Sequence, residues 1–592
     1  MVNEEFSVGN RNFERLFKNS IQFKVPFFQR GYCWEKKHWE QLFVDINEQI
    51  LPEIDTADNF EDVEHFFGPI VVLQKRTSNP ELQEYQIIDG QQRITTIYLL
   101  LAKIRHLIEE KSHESPSASE YIQSLTKYLI NDIDNQDDYL KLKVFSCKGD
   151  RLPAYKMVFN QNPNSPSLQV DMLLYSPETN NIDLFNKYID KKLRKDFHSV
   201  PKLWQLSQIL LKSLKIVWIP LDESKDDPQA IFESLNDRGM PLSASELLCN
   251  YLFRPIITAK EEYESIHNDS WLRAIRDTDS SGNFEDYLRL FFSIGEKKII
   301  GQGRRIYVHF KYKNKNLNKE NAKSILSDLK SNINIYNAIV DPVKNRLQGK
   351  DISPTLIRIR STRMDACNVF LLALLKSYSI SQIDEVETYK ILNEICVLLV
   401  RRKMCELPTQ KYDTIFPNLF ARIIREPNKP KAISNIIADE RYYVSDQDFS
   451  DALINRHLYR TRDLPFSRMM LQEVDKKLQV YNQLPDYSTL NTIEHVIPQT
   501  IDETWKTYLG DDAKNPDLQK YINTIGNLCL LSGPANSHAG QDPFESKIKD
   551  YTDVCALAKD LKKRKSPWNI KSIITRSEEL SKIALQIWSW SI

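Results

Sequence analysis

The chain has 592 residues, more than one hydrophobic core usually organises, so two or three domains are expected. Its 80 basic and 80 acidic residues cancel, so composition neither supports nor excludes binding to nucleic acid. The eight cysteines include no CxxC pair, which excludes a readable zinc knuckle or redox motif.

Nothing in the sequence indicates export or membrane insertion. The N-terminus lacks the basic and apolar regions of a secretory signal, and scattered cysteines suit a reducing cytosol. The longest apolar runs, such as Val369–Leu375, are far shorter than a membrane span. We therefore expect a cytoplasmic protein without a membrane segment.

Three strands and one long helix are predicted in the first 255 residues. The strands are β-branched or apolar runs at Gly68–Leu73, Tyr85–Ile88 and Leu214–Ile219. Ile94–Ile108 has apolar residues at helical spacing and contains no helix breaker. Because Asp89-Gly90 separates the second strand from this helix, we expect a strand, a tight glycine turn and a buried helix.

The segment Asp89–Arg93 (DGQQR) can be read in two ways. Gly90 permits an unusual turn, the helix N-terminus offers amides to a phosphate, and Arg93 supplies a fork of donors. Asp89 would then hold a metal or a ribose hydroxyl, and Gln91 and Gln92 would position water or a base. In the structural alternative, Asp89 caps the helix and Arg93 forms an internal ion pair. No GxxxxGK[ST] phosphate loop occurs.

Residues 256–430 are predicted to be mainly helical, with apolar helices at Cys367–Lys376 and Tyr389–Arg402. A basic cluster at Arg358, Arg360 and Arg363 has two interpretations. Its members contact phosphates, or they are the solvated basic residues that commonly close a helix. We expect this region to be a connector or clamp.

The last 160 residues contain the most informative segment. Helical sequence at Phe449–Leu478 precedes it, and an amphipathic helix ending near Trp588 and Trp590 follows it. That terminal helix is expected to dock internally, and the alternative is docking on a second copy of the chain, as in a homodimer.

Ile493–Gln499 (IEHVIPQ) places a carboxylate next to an imidazole. Pro498 cannot donate to a ladder, so the strand is expected to end near Glu494 and His495. At a strand end, a carboxylate can bind a divalent ion while a neutral imidazole takes a proton from water. The alternative is a buried histidine with a purely structural hydrogen bond.

A second segment, Ile525–His538 (IGNLCLLSGPANSH), predicts a Gly-Asn turn followed by a short apolar strand. Asn536 comes nine positions after Asn527, and such a strand would return it beside Glu494. His538 and Lys547 are close enough in sequence to contribute. A strand–strand–helix metal site is therefore expected.

These C-terminal motifs, with Phe544–Lys547 (FESK), resemble the HNH-related nuclease half of GmrSD-type modification-dependent (type IV) restriction endonucleases. The resemblance implies a ββα-metal fold with His495 as the general base. It implies that Glu494 and Asn536 hold Mg²⁺ or Mn²⁺, that Asn527 orients the turn and the base, and that Lys547 belongs to the catalytic set. Many HNH sites have a histidine at the last metal position, so His538 is the weaker alternative to Asn536.

Four earlier segments resemble the N-terminal half of the same family: Val25–Trp34, Phe67–Leu73, Ile87–Thr96 and Ile231–Leu242. The resemblance implies a ParB/sulfiredoxin-like domain whose DGQQR turn binds and hydrolyses a nucleoside triphosphate, GTP or ATP. The implied nucleotide residues are Asp89, Gly90, Gln91, Gln92 and Arg93, with Gln29, Arg30, Asn236 and Arg238 lining the same pocket.

We therefore expect a multidomain, largely helical α+β protein. A nucleotide-binding sensor domain would span 1–255, a helical connector 256–430 and an HNH-like nuclease domain 431–592. The expected function is NTP-regulated, divalent-metal-dependent cleavage of foreign, modified phage DNA in anti-phage defence. One alternative is a nucleotide-binding regulatory or toxin-like protein whose nuclease fold only binds nucleic acid, and another is an enzyme that cuts RNA.

Overall fold

The structure is a computed structural model of the whole chain. It describes residues 8–26, 29–75, 81–133, 138–161, 180–222, 231, 242–256, 265–278, 282–439, 442–479, 484–551 and 555–590. The chain divides into two compact units, Met1–Arg254 and Pro255–Ile592. Residues 256–430 and 431–592 both belong to the second unit, and their division into a connector and a nuclease domain stays a prediction.

The first unit contains a six-stranded mixed sheet. Its strands are β1 (Gly9–Asn12), β2 (Ile21–Lys24), β3 (His65–Lys75), β4 (Gln83–Asp89), β5 (Val144–Phe145) and β6 (Leu214–Leu221). Their order across the sheet is β1-β6-β3-β4-β2-β5, with β1/β6 and β3/β4 antiparallel and the other pairs parallel. The three strands predicted from β-branched runs are confirmed as parts of β3, β4 and β6.

Ten helices of the first unit are described around this sheet. They are α1 (Phe13–Phe17), α2 (Lys36–Asp45), α3 (Leu51–Ile54), α4 (Gln91–Glu110), α5 (Ala118–Leu129), α6 (Asp138–Lys141), α7 (Arg151–Phe159), α8 (Asn181–Asp196), α9 (Val200–Gln208) and α10 (Ala244–Phe253). Helix α4 contains the predicted helix, and the side chains from Ile97 to Ala102 are all buried in the core. Because α4 is apolar on nearly every side, it can only be an interior helix.

The central strand β3 contains a proline, which a central strand rarely accommodates because proline cannot donate to a ladder. The register between β3 and β6 shifts between Phe66 and Gly68, and Gly68 has a φ of 114°. Bulges of this kind are where sheets accept proline. The Pro69 carbonyl accepts a hydrogen bond from Arg93 Nη2 at 2.7 Å.

The second unit is mainly helical. Its helices are α11 (Arg273–Asp277), α12 (Phe284–Ser293), α13 (Arg304–Lys313), α14 (Lys319–Val340), α15 (Ile352–Ser361), α16 (Asn368–Ser379), α17 (Glu385–Met404), α18 (Tyr412–Ile423), α19 (Lys429–Asp439), α20 (Asp446–Asn455), α21 (Leu464–Leu478), α22 (Glu503–Leu509), α23 (Leu518–Ile522), α24 (Gly533–Ala539), α25 (Phe544–Asp550), α26 (Ala556–Lys562) and α27 (Ile570–Ile587). The predicted apolar helices are confirmed as α16 and α17. No helix in the described part of the chain is both long and apolar enough to cross a membrane.

The only strands described in the second unit are β7 (Thr492–His495) and β8 (Leu528–Leu531), which pair antiparallel. Strand β7 ends at His495, as Pro498 predicted, and a turn ending at Asn527 leads into β8. The terminal helix α27 packs against this turn and against α20. Trp588 is buried, and its carbonyl accepts a hydrogen bond from Arg401 at 2.7 Å. The expected internal docking of the terminal helix is confirmed.

Helix α27 and the turn before β8 approach so closely that only a glycine fits between them. A Cβ on Gly526 would lie 2.1 Å from the Ile573 carbonyl oxygen and 2.4 Å from Ser577 Oγ. The Gly526 amide donates to that hydroxyl at 3.0 Å. Since the nearest atom belongs to a helix backbone, the clash cannot be relieved by a side-chain rotation.

We predict that Gly526→Ala lowers the free energy of unfolding of the second unit by about 2–3 kcal/mol through overpacking. The measurement is denaturant unfolding of the full chain. Gly533→Ala is the matched control, because a Cβ on Gly533 meets no atom within 4 Å. Equal unfolding midpoints for the two variants would contradict the close approach.

Candidate functional site

In the first unit, the DGQQR motif forms the corner between β4 and α4. Gly90 stands at the helix start with a φ of 94°. A Cβ there would lie 2.9 Å from Ile70 Cγ1 and 3.1 Å from the Pro69 carbonyl oxygen. Both its backbone conformation and its lack of space require glycine. Gly90, and not Asp89, occupies the N-cap position, so the capping alternative for Asp89 is wrong.

The glutamines of the two N-terminal motifs bind backbone groups of the opposite segment. The Gln29 Nε2 donates to the carbonyl of Ile87 (3.0 Å), Gln91 Nε2 to that of Arg30 (3.0 Å), and Gln92 Nε2 to that of Gly31 (3.2 Å), while Gln92 Oε1 accepts from the Cys33 amide (2.9 Å). The structure thus brings the segment 29–33 against the start of α4. These side chains position the loop, a role that the motif alone did not reveal.

Arg93 carries the donors nearest to the helix start. Its Nη2 donates to the Pro69 carbonyl at 2.7 Å and to Asp89 Oδ2 at 3.0 Å, so the internal ion pair is present. Its Nε is buried and has no hydrogen-bond partner among the described residues. A buried N–H without a partner is costly. This donor lies against Gly68 of β3, since a Cβ built on that glycine would be 3.3 Å from the Arg93 Nε.

Two other candidates for this pocket, Asn236 and Arg238, lie outside the described residues. Of the aromatic residues between 27 and 34, Tyr32 is buried and its hydroxyl contacts that of Thr96 at 2.7 Å. Trp34 is partly buried and packs against Phe67 at a centroid distance of 6.2 Å. Tyr32 therefore belongs to the core of the first unit, and Trp34 packs against that core.

In the second unit, His495 lies at the end of β7, opposite Leu528 of β8. Its Nε2 is 3.1 Å from Asn523 Oδ1, which also accepts a hydrogen bond from Gln499 Nε2 at 2.9 Å. Because an amide oxygen can only accept, this contact requires a proton on Nε2 and leaves Nδ1 as the basic nitrogen. Burial lowers the pKa of His495 to about 4, so the ring is neutral near pH 7.

Asn527 fastens the loop that follows His495. Its Oδ1 accepts from the Ile497 amide at 2.9 Å, and its Nδ2 donates to the carbonyls of Ile497 (2.9 Å) and Ile522 (2.8 Å). The Trp568 indole N–H also points to Oδ1, at 3.3 Å. The side chain is fully buried, and its hydrogen bonds fix the backbone at Ile497 and Ile522, so Asn527 positions this loop.

Glu494 and Lys547 form a buried ion pair behind the histidine. Lys547 Nζ donates to Glu494 Oε1 and to the His495 carbonyl, both at 2.8 Å. The Tyr551 hydroxyl donates to the same Oε1 at 3.4 Å. Burial raises the pKa of Glu494, and the Lys547 ammonium opposes this shift. Because both contacts engage Oε1, Oε2 is the oxygen that a divalent cation would take.

Asn536 and His538 lie on α24, which packs against β7. Asn536 is half-buried and His538 is exposed. Within the described residues, neither side chain hydrogen bonds to Glu494 or His495. The structure thus joins Lys547 to the Glu494 side chain and to the backbone carbonyl of His495, and it places Asn536 on the adjoining helix. The His495 ring contacts a different group of residues, Asn523 and Tyr459.

The residues can be tested against the expected metal. Among those that the structure describes, no three His, Cys, Asp or Glu side chains gather into a cation-binding group. A structural zinc site needs four such ligands, whereas Mg²⁺ uses one or two carboxylates and keeps water and phosphate ligands. A hydrated Mg²⁺ or Mn²⁺ ion would have Glu494 Oε2 as its carboxylate ligand, and Asn536 stands on the helix that packs against β7. A closed zinc site would lack ligands among the described residues.

Sequence reasoning missed Asn523, which holds the ring of His495, and Tyr551, which contacts Glu494. Tyr551 follows Lys547 by four residues, the spacing that places two side chains on one helix face. This spacing could have predicted that Tyr551 lies beside Lys547. Asn523 had none, because its contact with His495 spans 28 positions. Tyr459, whose ring meets His495 edge-on at 4.5 Å, was also missed.

We predict that Lys547→Met lowers the free energy of unfolding by roughly 3–5 kcal/mol, because it leaves the buried Glu494 carboxylate unpaired. Adding Glu494→Gln should recover part of that loss, and chemical unfolding of the single and double variants measures the coupling. Lys506→Met, which breaks the exposed pair with Glu503, is the matched control and should change little. Additive effects of the two buried substitutions would contradict the pairing.

Two family models match the chain. The N-terminal domain of the GmrSD restriction endonuclease matches residues 13–253, and the C-terminal domain of GmrSD restriction endonucleases matches residues 443–583. No curated protein matches the chain. The two matches together cover more than half of the sequence. The first contains the DGQQR motif, and the second contains the segments Ile493–Gln499 and Ile525–His538. The chain therefore belongs to the GmrSD family of restriction endonucleases.

Proposed function

We propose that this restriction endonuclease cleaves DNA by metal-dependent hydrolysis at the β7–β8 hairpin, within an HNH-like arrangement of two strands and helix α24. One observation carries the proposal. His495 is a neutral imidazole at a strand end, its Nε2 is committed to Asn523, and a carboxylate precedes it in the chain. A base with one free nitrogen and a fixed ring is what water activation requires.

In the proposed reaction, His495 Nδ1 takes a proton from a water molecule. The oxygen of that water forms a bond to phosphorus, and the bond from phosphorus to the leaving oxygen breaks. Glu494 and Asn536 would hold a Mg²⁺ or Mn²⁺ ion, which supplies charge stabilisation at the phosphate. Lys547 and Asn527 act as positioning residues, because their contacts fix the strand end and the following loop.

The first unit is proposed to gate this reaction by binding a nucleoside triphosphate, GTP or ATP, in a ParB/sulfiredoxin-like pocket. The support is that Arg93, in the first turn of the 20-residue helix α4, has a buried Nε without a hydrogen-bond partner among the described residues. Gln29, Gln91 and Gln92 hold the facing loop, so the pocket is preorganised. The substrate is proposed to be foreign DNA with modified bases or backbone, as in anti-phage defence.

We predict that His495→Ala slows DNA cleavage by roughly 10²–10⁴-fold, the usual contribution of a general base, while DNA binding is retained. The assay uses plasmid and modified phage DNA with Mg²⁺ or Mn²⁺, with and without NTP. His113→Ala is the matched control, since that exposed histidine lies in the first unit and takes no part in the proposed reaction, so cleavage should be unchanged. Unchanged cutting by the His495 variant would remove this mechanism, whereas no cutting of any DNA by the wild type would favour the binding-only alternative.

We predict that Arg93→Lys weakens NTP binding by roughly 10–100-fold, because lysine lacks the forked donors and the Nε–H. Calorimetric titration with GTP and with ATP measures the affinity, and a thermal unfolding scan checks that the unit stays folded. Arg194→Lys is the matched control, because Arg194 pairs with Asp190 and Glu110 on the surface of the same unit. Equal affinities of the two variants would contradict the assigned pocket.

A further inference from the structure

A basic cleft lies in the second unit, away from the β7–β8 hairpin in sequence. It has a volume of about 1040 Å³ and is bounded by α15, by the segment 343–350 that precedes it, and by α21. Seven of its lining residues are Lys or Arg and two are acidic. The excess of positive charge is local, because the chain as a whole has a formal net charge of zero.

Both acidic groups of the basic cleft are already neutralised. Glu473 pairs with Arg358 at 3.5 Å and with Lys476 at 2.5 Å, and Asp365 pairs with Arg360. The positive charge of the remaining side chains is therefore not balanced from within the cleft.

Four cations of the basic cleft have no ion-pair partner among the described residues: Arg346, Lys350, Arg363 and Arg468. The first three are exposed, and they stand along the rim formed by the two ends of α15. Cations that line one cleft without acidic partners raise its positive potential, which favours the binding of an anion.

The wall of the basic cleft also carries buried donors without acceptors. Arg358 Nε and Arg468 Nε are both buried and have no hydrogen-bond partner within the described residues. They come from opposite sides of the cleft, one from α15 and the other from α21. Arg358 also pairs with Glu473 and donates to Thr355, so its Nε is the donor left over on that wall. Both walls thus carry a guanidinium, the group whose fork geometry suits phosphate oxygens.

We propose that the basic cleft binds the phosphodiester backbone of the DNA substrate, independently of its sequence. This inference rests on the proposed DNA cleavage. An open cleft with cations on both walls and along its rim suits a polyanion that passes through it, whereas a single nucleotide would use only one cluster. Contacts to phosphates position a duplex without reading its sequence. The basic residues of α15 thus act on substrate and are more than a solvated helix end.

The test is the salt dependence of DNA affinity. Fluorescence anisotropy with an unmodified duplex of about 20 base pairs, in EDTA to prevent cutting, gives the slope of log K against log salt. For the triple variant Arg346→Ala/Lys350→Ala/Arg363→Ala, the slope should become shallower by about 2–3, and affinity at 0.1 M salt should fall by roughly 100-fold or more. Because these side chains are exposed and without ion pairs in the described chain, the variant should fold normally.

The matched control removes three exposed basic residues of the same unit that lie outside the cleft, as Arg305→Ala/Arg425→Ala/Lys431→Ala. Its slope and affinity should equal those of the wild type. Equal slopes for the two triple variants would overturn the inference, as would a loss of NTP binding by the cleft variant with unchanged DNA affinity.

A cleavage assay run in parallel separates this inference from the proposed function. If the wild type cuts DNA and the cleft variant binds and cuts equally well, the cleft is not the DNA track and the proposed function stands. If binding depends on the cleft but no variant cuts DNA, the cleft stands and the proposed hydrolysis fails. If the wild type binds no DNA, the cleft inference is overturned.

Discussion

The side chain of Asn527 joins the start of β8 to the backbone just beyond the end of β7, where the ladder between the two strands stops. A four-residue strand has few ladder hydrogen bonds of its own, and β7 and β8 are the only strands described there. The buried side chain of Asn527 hydrogen bonds to both the backbone amide and the carbonyl of Ile497. These two bonds continue the connection between the strands beyond the end of the ladder. These hydrogen bonds fix the direction of the chain after His495, and the contact with Asn523 fixes the imidazole. Helices α25 and α27 then enclose the hairpin through Lys547 and Gly526.

In the first unit, side-chain amides likewise hold one backbone segment against another. There the polypeptide must hold a loop, 29–33, against the start of a helix whose first amides have no partners of their own. Gln29, Gln91 and Gln92 do so by bonding to backbone groups, which positions the loop without adding charge. Side-chain amides suit such a task because each offers a donor and an acceptor and stays neutral when buried. In both units, the residues that look most like catalysts in the sequence are partly scaffolding.

The sequence predicted the elements whose signal is local. Strands β3, β4 and β6 are β-branched runs, α4 is continuously apolar, and β7 stops where a proline requires it. The short strands β1, β2 and β5 were not predicted, because Ile21–Lys24 mixes polar and apolar residues and gains its strand character only from parallel neighbours on both sides. The residues of the candidate site also differ in how far the sequence reveals them. Glu494, His495 and Asn527 are recognisable by spacing, whereas Asn523 and the ion pair of Lys547 depend on contacts that the chain makes only after folding. The alternative in which Asp89 caps α4 was wrong, because Gly90, in a left-handed conformation, occupies the N-cap position.

The approach of α27 to the turn before β8 bears on how separable the nuclease hairpin is. Arg576, fully buried on this helix, donates to the carbonyls of Gly526 (2.8 Å) and Leu528 (3.0 Å), so the terminal helix satisfies backbone groups of the hairpin itself. A fragment that ended after α25 would lack Arg576, so these two carbonyls would lose their hydrogen-bond donor. The smallest transplantable cassette therefore runs to the end of α27, and any chimera that grafts this hairpin onto another scaffold has to bring the last helix with it.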